Sequence, residues 1–213
     1  MQFSASLPAN LRQRLLQPLP GLDAHVHMMP PIRDRIVKIP DNARLSAVLL
    51  LLYPQDGQWF MPLMRRSQDG RVHGGQISFP GGRREKSDPD FTFTALREAE
   101  EEMAIPAAEV EVLGDLSQIY IPPSNSVVHP RLGFLPQRPD FVPHPVEVDE
   151  IIEIDIAQML DDSRQGRHEV DVFAGNMINA PGYTFDEDLL VWGGTAMILA
   201  EFAQLLQEVI TGK

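Results

Sequence analysis

Residues 95–105 read ALREAEEEMAI, eleven residues holding four glutamates, three of them consecutive, in what is otherwise a run of good helix formers. Taking about 100° of rotation per residue and Glu98 as zero, Glu101 falls near −60° and Glu102 near +40°. Three carboxylates therefore share one arc of roughly 100°, and Glu100 points away. By the same arithmetic Ala95, Leu96, Ala99 and Met103 cluster at roughly 60° to 160°, so the acids border the face that will be buried. Like charges at these spacings repel by a few tenths of a kcal/mol per pair, and no lysine interleaves them. A solvated acidic stripe is the commonest fate of such a run. Acids crowded against an apolar edge instead call for a compensating cation, and Mg²⁺ takes carboxylate, water and phosphate oxygens.

The preceding residues bear on that choice. GGQISFPGG at 74–82 reads as a short strand closed by a Pro-Gly-Gly turn, and Gly81 and Gly82 let bare backbone approach the acidic helix. A carbonyl there can complete a metal's coordination shell. The charged loop RREKSDPD then leads into a helix over 91–104, which Pro106 ends. Upstream, SAVLLLLYP and WFMPLMRR flank a DGQ turn at 56–58 and form a hairpin. Further strands are expected at 110–114, 116–121, 127–135 and 150–156, with a hairpin within 168–191 and a last helix over 195–210. The first forty residues are proline-rich, with a helix near 9–17 and then an extended arm. The chain thus divides into an arm, 1–40, and a domain, 41–213, of α/β class with helices flanking a mixed sheet.

Composition bounds the rest. At 213 residues, 43% hydrophobic and 23% charged, the chain builds one sizeable globular domain. Its net charge of −12 disfavours nucleic acid and anionic membrane as partners. With no cysteine, disulfides, thiolate ligands and a cysteine nucleophile are excluded. The longest apolar stretch, at 47–53, is far short of the roughly 20 residues of a spanning helix, and no leader pattern opens the chain. A soluble cytoplasmic protein is expected.

The acidic helix and its turn resemble the Nudix hydrolase signature. Arg97, Glu98, Glu101 and Glu102 fill its second half in register, with Ala104 where the signature has its last glycine. After Gly82 the signature's glutamate is replaced by Asp88, and eight residues rather than seven separate Asp88 from Arg97; Glu85 is the other acid of that loop. Upstream, Arg66, Ser67, Arg71, Gly75, Phe79, Pro80, Gly81 and Gly82 match the signature of the coenzyme A pyrophosphatase branch. That branch is itself variable in the loop and in the last glycine. The likeness continues more weakly through EVDEIIEIDI and LLVWGGTAMIL, so that it covers about residues 45–199.

The resemblance implies an α/β/α sandwich with a mixed sheet and a Mg²⁺- or Mn²⁺-dependent hydrolase acting on a small molecule. For this branch the reaction splits coenzyme A, or a derivative, into 3',5'-ADP and 4'-phosphopantetheine. Glu98, Glu101, Glu102 and Gly82 would hold the metal. Arg97 would orient the glutamates, Asp88 is the candidate helper carboxylate, and Arg66, Arg71 and Ser67 would meet the substrate, guanidinium forks suiting phosphate. The proton acceptor is open among Glu101, Glu147 and Glu150. Phe79 is expected to pack under the acidic helix, and Trp192 to lie in the core. His73 fits a substrate contact or a structural hydrogen bond, and His25 and His27 have a spacing that permits metal binding, with Asp23 the only carboxylate nearby. Residues 1–40 are open to a role as a lid or in a homodimer. Two other readings compete: a Nudix hydrolase of nucleotide sugars, NADH or capped nucleotides, and a noncatalytic Nudix-fold binding module. Such modules commonly lose the acids that are present here.

Overall fold

The apolar run at 47–53 becomes the centre of strand β1, Arg44–Gln55, in a computed structural model that describes residues 3–31, 38–68, 73–172, 175–186 and 189–212. Asp56 and Gly57, with φ of 52° and 79°, make the two-residue turn into β2, Gln58–Arg66; left-handed backbone at both positions suits the twist of a hairpin. Along β1, Ala47, Leu49, Leu51 and Tyr53 face one side and Leu50 and Leu52 the other, all fully buried. A strand covered on both faces reads as an unbroken apolar run.

Six more strands complete this sheet: β3 Ile77–Ser78, β4 Gly81–Arg83, β5 Glu111–Asp115, β6 Ile119–Ile121, β7 Ser126–Phe134 and β8 Val148–Asp155. The order is β3-β2-β1-β7-β5, with β4 against β1, β6 against β7 and β8 against β2. β1 and β7 run parallel and the other pairings are antiparallel, so the sheet is mixed. Four helices, α1 Leu7–Leu15, α2 Leu22–His25, α3 Phe91–Met103 and α4 Gly193–Thr211, enclose it. Ala95, Ala99 and Met103 of α3 pack on Ala47, Leu49 and Leu51. On the opposite face, Leu7 and Leu11 of α1 and the apolar side of α4 pack on Leu50, Leu52 and Leu63. This is the expected α/β/α sandwich. Among the described residues no helix is long and apolar enough to cross a membrane.

Local chemistry explains the bounds of α3. Asp90 caps its start, accepting from Phe93 N–H at 2.8 Å. Its end is a left-handed residue, Ala104, at φ 56° and ψ 30°, where a side chain is strained and glycine is favoured. Ala104→Gly is therefore expected to stabilise the protein by about 1 kcal/mol, read as a rise in Tm of about 2–4 °C.

Four expectations are corrected. Residues 165–192 form a three-stranded antiparallel sheet, not one hairpin: β9 Gln165–Asp171, β10 Met177–Asp186 and β11 Leu189–Trp192, with β10 long enough to pair on both sides. After α1 the chain is not simply extended; Ala24, His25 and Met28 are buried at helical spacing, in α2 and the 3₁₀ turn Val26–Met28. Phe79 does not pack under α3. Ile77 of β3 and Phe79, just past its end, both belong to the core on the α4 face. Trp192 is half-buried at the start of α4 rather than in the core.

Candidate active site

The stripe on α3 is graded by burial: the side chain of Glu102 is 2% exposed, that of Glu98 16% and that of Glu101 59%. Angle accounts for the order, because Glu102 lies nearest the apolar face and Glu101 farthest from it. Glu102 Oε2 accepts from Gly81 N–H at 2.7 Å, and its Oε1 lies 3.6 Å from Arg66 Nη1. The glycines are required here. A Cβ on Gly81 would stand 2.3 Å from the carbonyl oxygen of Ala47, and one on Gly82 would stand 2.3 Å from Glu98 Oε2. The β4–β1 pairing, Val48 to Gly81 and Ala47 to Gly82, thus presses bare backbone against the acids.

Arg97 ties the acids together. Its Nη2 is 2.9 Å from Glu98 Oε1 and donates to Asp88 Oδ2 at 3.1 Å, while Nη1 donates to Glu101 Oε2 at 3.1 Å. Asp88 is buried behind it and also accepts from Thr94 Oγ1 and Glu85 N–H, each at 2.9 Å. The bonds from Arg97 lead in holding the Asp88 carboxyl down to about 2, and Asp88 in turn raises the pKa of Arg97. Asp88 thus holds the arginine in place. Glu85 is exposed and accepts from Ser87 Oγ.

A loop over 136–147 closes the other side of the site. Arg138 anchors it through Glu153, at 2.7 Å, and Phe141 packs on the ring of Tyr53. Val142 N–H and His144 N–H then bond the carbonyls of Met103 and Glu102, at 3.1 and 2.9 Å. This brings Glu147 close enough to raise the pKa of both Glu98 and Glu102, and Ser67 N–H donates to the Glu147 carbonyl at 3.1 Å. Glu150 is spent elsewhere, 3.1 Å from Arg65 Nε. His73 is bonded to Gln76 Oε1 at 3.0 Å. Arg71 lies outside the described residues. Nothing in the local pattern announced His144 or the loop's grip on the helix end, because those bonds use backbone groups, which every residue carries.

Burial is the main cause that pushes Glu102 up to about 8, with Glu98 and Glu147 adding to it and Gly81 N–H and Arg66 opposing. An acid raised in the fold binds more protons folded than unfolded. Its contribution to stability is thus complete below the unfolded value of about 4.5 and lost as pH rises through about 8. His73 and His129, whose pKa values burial lowers from 6.5, act in the opposite sense only below that value. Between pH 6.5 and 8 the metal-free protein is therefore expected to lose stability, by on the order of a few kcal/mol at most. Urea denaturation in chelator measures this, and Glu102→Gln should flatten the slope.

A NUDIX domain family model matches residues 43–170. The chain is 36% identical over 183 residues to the uncharacterised Nudix hydrolase NudL of Photorhabdus laumondii, covering 84% of this chain and 92% of that one. It is 36% identical over 188 residues to the NudL of Shigella flexneri, covering 85% and 93%. In fold it is similar to RenU, a Nudix hydrolase from M. smegmatis, with TM-score 0.52 and 18% identity over 87% of this chain and 94% of that one. A MutT/nudix family protein from Enterococcus faecalis gives TM-score 0.51 and 17% identity, covering 97% and 76%. The chain belongs to the Nudix family. It is a Nudix hydrolase, acting on a diphosphate substrate.

Nudix hydrolases use divalent metal ions. Among the described residues no three His, Asp or Glu side chains already converge as a ready-made ion site; that holds for His25 and His27 as for the acidic helix. The donor set on α3 nevertheless fits a hard cation. Glu98 is seated over the bare backbone of Gly82, Glu102 lies beside it, and burial raises the pKa of both. A divalent ion relieves that unfavourable charge.

Proposed function

We propose that this Nudix hydrolase cleaves the diphosphate of coenzyme A or a derivative, giving 3',5'-ADP and 4'-phosphopantetheine, with Mg²⁺ or Mn²⁺ held by Glu98, Glu102 and Glu101 beside Gly82. One observation carries the reading: Arg66, from the motif that resembles the coenzyme A branch, stands 3.6 Å from Glu102, from the acidic helix. That contact supports reading the two motifs as one site. Bound metal would neutralise the diphosphate and lower the pKa of water.

The chain's own residues supply the rest. Arg66 offers a guanidinium to the phosphates, with Ser67 and Arg71 as its companions in the motif. Arg97, positioned by Asp88, orients Glu98 and Glu101. The proton of the attacking water goes to Glu101 or Glu147. Glu101 is exposed and held by Arg97; Glu147 is electrostatically coupled to both buried acids. Residues 41–213 carry this chemistry in our reading, and α1, α2 and the turn Val26–Met28 brace α4.

Incubation of the purified protein with coenzyme A and Mg²⁺ in ¹⁸O-water, followed by mass spectrometry, tests the proposal. Labelled 3',5'-ADP or labelled phosphopantetheine is expected, and the label identifies the phosphorus attacked. Cleavage of nucleotide sugars or NADH with coenzyme A untouched would overturn the substrate assignment. Absence of turnover on the whole panel would favour the noncatalytic module.

A further inference from the structure

The loop over 136–147 is a strap fastened near its start by a clasp. There Arg138 meets Glu153 of β8 with both arms of its fork, Nε donating to Oε2 at 2.8 Å and Nη2 to Oε1 at 2.7 Å. The hydroxyl of Tyr53, a fully buried residue of β1, donates to the same carboxylate. Phe141 adds a ring contact to each donor, 5.1 Å from the Arg138 guanidinium carbon and 5.7 Å from the Tyr53 ring. A bidentate guanidinium–carboxylate pair fixes direction as well as distance. Folding alone accounts poorly for so elaborate a contact. Arg138 is 38% and Glu153 27% exposed, and pairs with that much solvent around them contribute about 1 kcal/mol or less.

What the clasp holds is the end of the acidic helix. The last carbonyls of a helix have no partner within it, and in α3 these include the carbonyls of Glu102 and Met103. The strap supplies the missing donors: Val142 N–H to Met103 at 3.1 Å and His144 N–H to Glu102 at 2.9 Å. The second bond fixes the peptide of a proposed metal ligand. The strap then delivers Glu147 to the end of β2, where Ser67 N–H holds its carbonyl at 3.1 Å. Pro139, Pro143 and Pro145 lie between the clasp and Glu147. Each fixes its own φ and restricts the residue before it, which here means Arg138, Val142 and His144. A strap so stiffened passes a displacement at Arg138 on to the helix end instead of absorbing it. We propose that Arg138, clasped to Glu153 and Tyr53, is a positioning residue for hydrolysis, setting through the strap where Glu102 and Glu147 stand. The inference rests on Glu102 as a metal ligand and not on which diphosphate is the substrate. A misplacement of about 1 Å, even one arising far from the chemistry, can cost about 10²-fold in rate.

The test measures kcat and KM for coenzyme A at saturating Mg²⁺, together with amide hydrogen exchange, on wild-type protein, Arg138→Ala, Glu153→Gln and the double variant, all well below their melting temperatures. We expect Arg138→Ala to lower kcat by about tenfold or more, with little change in KM. Exchange at Val142 N–H and His144 N–H should quicken while Ala99, inside α3, keeps its protection. Because the pair acts as one unit, the double variant should lose no more than Arg138→Ala alone. Should Arg138→Ala fail to fold, Glu153→Gln, which keeps an acceptor for Tyr53, reads the same loss. An unchanged kcat in a folded variant, a lowered kcat with exchange at Val142 and His144 unchanged, or additive losses in the double variant would each overturn the inference and leave the hydrolase and its substrate standing. A wild type that spares coenzyme A and cleaves another diphosphate would overturn the substrate assignment alone, and the same comparison on that diphosphate then decides the role of Arg138.

Discussion

Glu98→Gln with Glu102→Gln is expected to lower kcat/KM for the diphosphate substrate by about 10³-fold or more, while the protein stays folded. The loss follows from charge. Removing one group that stabilises developing charge typically costs about 10²–10³-fold, and here two carboxylates that would hold the metal become neutral amides. Retention of the fold follows from the same geometry. Glutamine at 102 keeps an acceptor oxygen for Gly81 N–H, now 2.7 Å from the carboxylate, and removes a charge that burial already disfavours. Arg97, losing Glu98, keeps Asp88 and Glu101. Circular dichroism and thermal melting should therefore match or exceed the wild type, whereas the rise in Tm that Mg²⁺ gives the wild type should vanish. Hydrolysis that survives the double substitution would falsify the assignment of these acids.

The angular order of the acids was legible because it depends only on helical period, and α3 begins and ends within one residue of the expected span. The β1–β2 hairpin was legible for a similar reason, since Asp56-Gly57 is a local turn between two long apolar runs. The depth of each acid was not. Glu102 is buried because the loop over 136–147 and Gly81 close over it, and those contacts come from distant parts of the chain. Phe79 shows a subtler limit: proximity in sequence to the Pro-Gly-Gly turn suggested the helix side, but Ile77, which opens β3, and Phe79, just past its end, both join the core on the α4 face. Asp88 kept the signature's spacing from Gly82 but not from Arg97, and only the structure places it behind Arg97. Residues 165–192 were read as one hairpin, whereas β10 is a middle strand whose Gly182 and Tyr183 pair with β9 on one edge and β11 on the other.

Glu201→Ala is expected to destabilise the protein by about 3–5 kcal/mol, a fall in Tm of at least about 6 °C. Glu201 is fully buried on α4, a place where a lone carboxylate is costly. Four donors compensate it: Gly21 N–H at 3.0 Å, Ser117 N–H at 3.0 Å, Ser117 Oγ at 2.6 Å and His25 Nε2 at 3.1 Å. With these donors countering burial, the pKa of Glu201 is lowered, so its stabilisation is present above about 4.5 and lost as pH falls through the folded value. Alanine leaves all four donors buried without an acceptor, which is why the expected cost exceeds that of one ordinary hydrogen bond. Glutamine retains one oxygen and should cost less. The spacing of His25 and His27 permitted metal binding but lacked carboxylates beyond Asp23; the actual partner of His25 is a carboxylate 176 residues away, which no local pattern could reveal. Because Gly21 and His25 belong to the N-terminal arm, Glu201→Ala should also make residues 16–31 cleavable by protease before the rest of the chain. Unchanged stability together with an arm still protected from protease would mean that apolar packing of α1, Met28 and α4 holds the arm without this carboxylate.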